Sequence, residues 1–264
     1  MGGSISPVSR DRGTPFLKTM AHPHSRFIPL TIAAILIVSQ AVCSLADTNT
    51  DTVLFREDFL NLKNWKPVLF PKIRKHSAYS VQLEGTRRVL VAESSGSASG
   101  LVRKGTFNVY DYPKARWNWK ISNLYRAAVD PTSKTSDDYP IRVYFLFEYD
   151  PTGSSFMERV TYAVAKRIYG EYPPQAALNY VWSSVDWERE VLVSPYTGKA
   201  RLIALRKPSD GVGRWHSEEV NIVDDYRRAF GIDPPPFATV GIMNDSDDTK
   251  EQSISYVGFI EVFR

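Results

Sequence analysis

Cysteine is almost absent from this 264-residue chain: the one cysteine, Cys43, lies near the N-terminus, and none follows it. Disulfide staples, cysteine-based zinc sets and thiol nucleophiles are therefore excluded from residues 47–264. Histidine is nearly as scarce. Beyond His22 and His24 there are only His76 and His216, and neither stands at a metal-ligand or triad spacing. The chain has no G-x-S-x-G, no Walker loop and no H-E-x-x-H. Ser/His hydrolysis, phosphate-loop chemistry and zinc catalysis thus find no support in its motifs.

Long apolar runs are missing too, with one exception. Phe27 to Leu45 (FIPLTIAAILIVSQAVCSL) is preceded by Arg26 and followed by Ser44-Leu45-Ala46, with small residues at the two positions a signal peptidase reads. This is the three-part pattern of a secretory signal. Pro29, Ser39, Gln40 and Ser44 weaken the run as an uncleaved anchor. Cys43 lacks the leucine three residues earlier that a lipoprotein signal carries. The expectation is a targeting segment over 1–46, with an overlong polar leader before Met20. Residues 47–264 then form a single periplasmic or secreted domain, off the membrane once the signal is cleaved.

Excess charge disappears with that segment. The whole chain has 33 basic and 29 acidic residues. Arg10, Arg12, Lys18 and Arg26 lie in 1–46 against Asp11, so 33 less four and 29 less one leave 29 basic and 28 acidic residues. No basic stripe remains to bind nucleic acid.

What the remaining 218 residues do have is aromatic side chains, including all 6 Trp and all 14 Tyr. They also have strand patterns. Val53 to Phe59, Ser80 to Leu83, Arg88 to Ala92, Leu101-Val102 and Thr106 to Val109 read as strands. Ala115 to Ile121 (ARWNWKI) alternates strictly, with Trp117 and Trp119 on one face. Ile141 to Tyr149 (IRVYFLFEY) is apolar enough to be a central strand covered on both faces. Leu178 to Trp182, Glu190 to Val193, Ala200 to Leu205, Phe237 to Met243 and Ser255 to Phe263 complete the set. Two helices interrupt it. One runs from Phe156 to Tyr169 with Gly170 as its stop. The other runs from Asp224 to Phe230, capped by Asp224 or Asp225 and ended by Gly231. The fold expected is a mostly β, antiparallel sandwich of jelly-roll type whose terminal strands pair.

Several segments together resemble the DUF3047 family of bacterial exported proteins. They are Trp117-Asn118-Trp119-Lys120, Asp137-Asp138-Tyr139-Pro140 running into Ile141-Arg142-Val143-Tyr144, and Leu178 to Trp182 (LNYVW). Asp225 to Gly231 (DYRRAFG) and Ile242 to Thr249 (IMNDSDDT) complete the resemblance. Asp248 stands where the family's run has a neutral Asn, and Phe259 replaces a more polar residue. The resemblance implies a family but no catalytic residues.

The clusters that can carry chemistry are acidic or aromatic. Asn244-Asp245-Ser246-Asp247-Asp248-Thr249 follows a strand. Its alternating oxygen ligands (Asn244, Asp245, Asp247, Asp248) suit a hard cation such as Ca²⁺, although the glycine and distant glutamate of an EF-hand are missing. The favoured reading of the same run is a polar turn whose Asp and Asn side chains hydrogen-bond the local backbone. Asp137 and Asp138 precede the central strand, and a kink at Pro140 would let Asp138 pair with Arg142 and leave Asp137 free. Tyr180 and Trp182 share one strand face, as a sugar platform or as ordinary core. Arg227 or Arg228 can bridge to the Asp245–Asp248 loop. Asp137, Asp138, Arg142, Tyr180, Trp182 and Arg227 are the candidate ligand-binding set.

Three functions fit. The first is binding of a polysaccharide or another cell-envelope polymer. The second is glycan cleavage by Asp137 or Asp138 paired with Asp245 or Asp247, with Glu148 and Glu188 in reserve. The third is an envelope assembly role that uses the helix Phe156 to Tyr169 as a contact.

Overall fold

The structure, a computed structural model, describes residues 51–152, 154–169 and 172–264. The targeting segment expected over 1–46 and the helix stop at Gly170 lie outside the described residues.

Among the described residues, fourteen strands and two α-helices follow in chain order. They are β1 (Val53–Glu57), β2 (Trp65–Val68), β3 (Ala78–Glu84), β4 (Arg87–Ser95), β5 (Ala98–Arg103), β6 (Phe107–Asn108), β7 (Lys114–Ile121) and β8 (Arg142–Phe147). Then come α1 (Phe156–Tyr169), β9 (Ala176–Trp182), β10 (Leu192–Val193), β11 (Ala200–Arg206), β12 (His216–Asn221), α2 (Ile222–Phe230), β13 (Phe237–Asp245) and β14 (Gln252–Phe263). They form two sheets. One has six strands in the order β12-β7-β14-β4-β3, with β1 also on β14. The other has eight in the order β10-β11-β9-β8-β13-β5-β2, with β6 also on β13. The result is a β-sandwich of jelly-roll type. It departs from full antiparallelism at one pair: β9 and β11 run parallel.

The two-residue period places the core. Trp117 and Trp119 of β7 point inward and are fully buried, as their alternation requires. They meet Tyr180 and Trp182 of the opposing sheet at ring separations of 5.5 and 6.0 Å. Val143, Phe145 and Phe147 of β8 face the same core. The first and last described strands, β1 and β14, pair as expected, with Val53 opposite Phe263 and Glu57 opposite Ile260.

Strands β2 and β12 are not among the expected strands, and both helices differ in detail from expectation. The cap of α2 is Asn221, whose side chain accepts from the N–H groups of Val223 and Asp224, so Asp224 and Asp225 lie inside the first turn. Asn is as good a cap as Asp, and its position at the end of β12 lets the chain turn directly from strand to helix. Gly231 ends the helix in the left-handed conformation, at φ 73°. Helix α1 has the expected range, yet Phe156, Met157, Val160 and Val164 are exposed. Its inward anchor is Tyr162, stacked on Tyr149 at 3.7 Å. Among the described residues no helix is long and apolar enough to cross a membrane.

Candidate functional site

The outer face of the eight-stranded sheet carries both features of interest. Along β8, alternation turns Arg142, Tyr144 and Leu146 away from the core. Pairing with β13 sets Arg142 opposite Met243, Tyr144 opposite Gly241 and Leu146 opposite Thr239. Gly241 is required there: a Cβ would lie 2.2 Å from the Tyr144 ring, which therefore lies flat across the sheet. An acidic centre occupies one end of this face and an open groove the other. Four residues of strand, about 13 Å, separate Arg142 from Leu146.

At the acidic end, Arg142 is buried and clamps Asp245. Its Nε donates to Oδ1 at 2.9 Å and its Nη2 to Oδ2. Nη1 donates to Asp137 Oδ1 at 3.3 Å. Asp138 turns the other way. Its Oδ2 accepts from the backbone N–H groups of Asp248, at 3.0 Å, and Thr249. Its Oδ1 is buried with no hydrogen-bond partner. Carboxylate oxygens of Asp138, Asp245 and Asp247 all lie within 4.8 Å of one another. Tyr196 closes the loop from outside by donating to Asp248 Oδ2 at 2.7 Å.

The electrostatics follow from this crowding. Burial pushes the Asp245 carboxyl up to about 8; Arg142 opposes the shift, and Asp138 and Asp137 add to it. Burial also raises Asp137, against the pull of Arg142. Asp247 is raised by burial and then by Asp138 and Asp248. Asp248 is raised by burial, with the Tyr196 hydrogen bond working against it. For Arg142 burial acts downward, but Asp245 and Asp137 outweigh it and hold the guanidinium well above its ordinary value.

At the other end, a groove of about 780 Å³ opens over the sheet. Val68, Val102, Leu146 and Thr239, from β2, β5, β8 and β13, contribute to its lining. Tyr149 and Tyr172 are 5.3 Å apart and lie on its helix side, with Lys166 of α1 over the Tyr172 ring at 4.4 Å. Lys66, Lys104 and Glu148 add charged groups. The buried Tyr149 hydroxyl has no hydrogen-bond partner. A smaller cleft of about 400 Å³, with Lys75, His76, Ser95 and Gln252 in its lining, has no Phe, Tyr or Trp among its described lining residues.

The family model described as "Protein of unknown function (DUF3047)" matches residues 63–261. This chain belongs to the DUF3047 family. No curated protein matches the chain. Among solved structures, it is similar to a family 11 carbohydrate-binding module from Clostridium thermocellum in complex with a β-1,3-1,4-mixed-linked tetrasaccharide. The identity is 10%, with 80% of this chain and 94% of that chain covered and a TM-score of 0.41. A family 30 carbohydrate-binding module of a cellulosomal cellulase of Clostridium thermocellum is 10% identical, covering 80% and 96% with a TM-score of 0.35. Trichoderma harzianum endoglucanase 3 of family GH12 is 7% identical, covering 76% and 99% with a TM-score of 0.36.

Within this DUF3047 domain the sequence-derived candidates divide sharply. Asp137, Asp138, Arg142, Asp245, Asp247 and Asp248 converge at the acidic centre. The pairing inside it is the reverse of that expected: Arg142 holds Asp137 and Asp245, and Asp138 is taken by the 248–249 backbone. Asn244 points into the core side of β13. Its Nδ2 donates to the Ala92 carbonyl and Ser255 Oγ, and its Oδ1 accepts from Ser253, so it is no cation ligand. Tyr180 and Trp182 are fully buried and form core, not a sugar platform. The Tyr180 hydroxyl donates to Asp225 at 2.6 Å. Arg227 is tied to Asp233 at 2.7 Å and Arg228 to Asp225 and Glu190, so neither bridges to the acidic loop.

The acids paired for glycan cleavage do meet, but Asp137, Asp138 and Asp245 are buried, where a polymer cannot reach them. Of the reserve pair, Glu148 lines the groove and Glu188 does not; Glu148 is the one carboxylate among the groove's described residues. No sequence pattern outlines the groove itself. The nearest signal was the run IRVYFLFEY, whose outer-facing positions give Leu146 and Glu148.

Proposed function

We propose that this is an exported DUF3047 protein that binds a polysaccharide of the cell envelope along the groove on the outer face of its eight-stranded sheet. The groove's composition carries the reading. Its aliphatic surface and its paired tyrosines offer apolar contact to the C–H faces of a sugar ring. The lysines, Glu148 and Thr239 offer hydrogen bonds to sugar hydroxyls. A volume of about 780 Å³ holds a few sugar units. Binding is favoured over cleavage because a glycosidase needs two carboxylates flanking the bond, and the groove's described lining has Glu148.

Affinity electrophoresis through gels cast with a panel of envelope and plant polysaccharides tests the reading. Retardation by at least one polymer, in the presence of chelator, is the expected result. Unretarded migration through every gel refutes it.

A further inference from the structure

We infer that the acidic centre is a calcium site formed by Asp138, Asp245 and Asp247, clamping the loop before β8 to the loop after β13. The inference is independent of the groove and of what binds there.

Two observations carry it. The first is convergence. One carboxylate oxygen from each of the three residues lies within 4.8 Å of the other two. Oxygens on opposite sides of a Ca²⁺ ion are about 4.6–5.2 Å apart, and those of an octahedral Mg²⁺ about 4.0–4.2 Å. All three separations are at most 4.8 Å, which lets the oxygens share one hard cation; a largely buried set of carboxylates favours Ca²⁺, because Mg²⁺ keeps several of its waters. The ligands are all hard oxygens, with no His or Cys among them, which excludes the preference of zinc or copper.

The second is the Asp138 carboxylate. It is 1% exposed, and two backbone N–H groups fix its Oδ2 in place. Its Oδ1 is buried and has no donor. A buried bare carboxylate oxygen is costly to leave in that state, and a cation between it and its neighbours resolves the cost. Arg142 does not: its guanidinium is spent on Asp245 and Asp137. Asp245 can serve both partners, since each carboxylate oxygen has two acceptor directions and Arg142 uses one of each. Asp247, only partly buried, gives the ion a route to solvent.

The test uses the full chain after chelator treatment and dialysis, with CaCl₂ titrated by calorimetry and Tm followed in parallel. Asp247→Asn removes a ligand's negative charge on the solvent side without disturbing the core, and Asp138→Asn removes that of the buried ligand. One Ca²⁺ per chain is expected. Tm should rise by about 5–10 °C at Ca²⁺ a hundredfold above Kd. Asp247→Asn should weaken binding at least tenfold, and MgCl₂ should bind more weakly. If Asp138→Asn does not fold, Asp247→Asn decides alone. No Ca²⁺ binding by the folded wild type, or undiminished binding by Asp247→Asn, overturns the inference. Polysaccharide retardation in chelator is read separately, so the two proposals fail independently.

Discussion

Arg142 reaches diagonally across the β8–β13 ladder to Asp245: the register seats it opposite Met243, yet its Nε donates to Asp245 Oδ1 at 2.9 Å. The pair joins the start of one central strand to the end of the next. It is buried on both sides and also holds Asp137.

Removing the cation should therefore be severe. Arg142→Met leaves Asp245 and Asp137 buried without their partner, and the loss expected is about 3–5 kcal/mol. Arg142→Lys should recover little of it, because an ammonium cannot make the two-pronged contact. Urea midpoints for the three proteins measure this.

The position of Gly241 makes a second prediction. Gly241→Ala forces a methyl into the Tyr144 ring and should cost about 1–3 kcal/mol. In a Tyr144→Ala background the same change should be nearly neutral. A double-mutant cycle on unfolding free energies reads the coupling; additive effects would mean that the ring does not lie over the glycine.

A third concerns the start of α2. Asn221→Ala should cost about 1 kcal/mol by leaving the N–H groups of Val223 and Asp224 without their cap. Asp224→Asn should cost only about 0.3 kcal/mol, the effect of one charge near the helix dipole. Chemical denaturation of the two variants separates cap from charge.

A fourth follows from Asp225, which burial raises above the ordinary carboxylate range against the pull of Tyr180 and Arg228. The folded state then holds this proton to higher pH than the unfolded state does. Its stabilising contribution is full below about pH 4 and is lost as pH rises through the raised value. Asp225→Asn removes that slope, so the wild-type minus variant difference in unfolding free energy should fall as pH rises from 4. A flat difference would contradict it.

The sandwich could be read from the sequence where one face of a strand is buried. Trp117 and Trp119 alternate with Arg116, Asn118 and Lys120, and that period alone fixes β7. The acidic centre was also visible, because Asp137-Asp138 and Asp245 to Asp248 flank strands that end at the same side of the sheet. Its wiring was not: whether Asp137 or Asp138 meets Arg142 depends on a backbone turn that residue types do not specify. The groove was invisible for a different reason. Its wall comes from β2, β5, β8, β13 and α1, and only the sheet order brings Val68, Val102 and Leu146 together. Tyr180 and Trp182 show the opposite limit, since an aromatic alternation reads the same whether it faces a sugar or a core.

The central claim is that the groove binds polysaccharide, and Tyr172 tests it most directly because it lines the groove, is substantially exposed and is not part of the buried core. Calorimetric titration of a retarding polysaccharide into wild type and Tyr172→Ala, both in chelator, is the measurement. The account predicts about tenfold weaker binding for the variant, at unchanged Tm, from the loss of one aromatic contact. Equal affinities for the two proteins would contradict it.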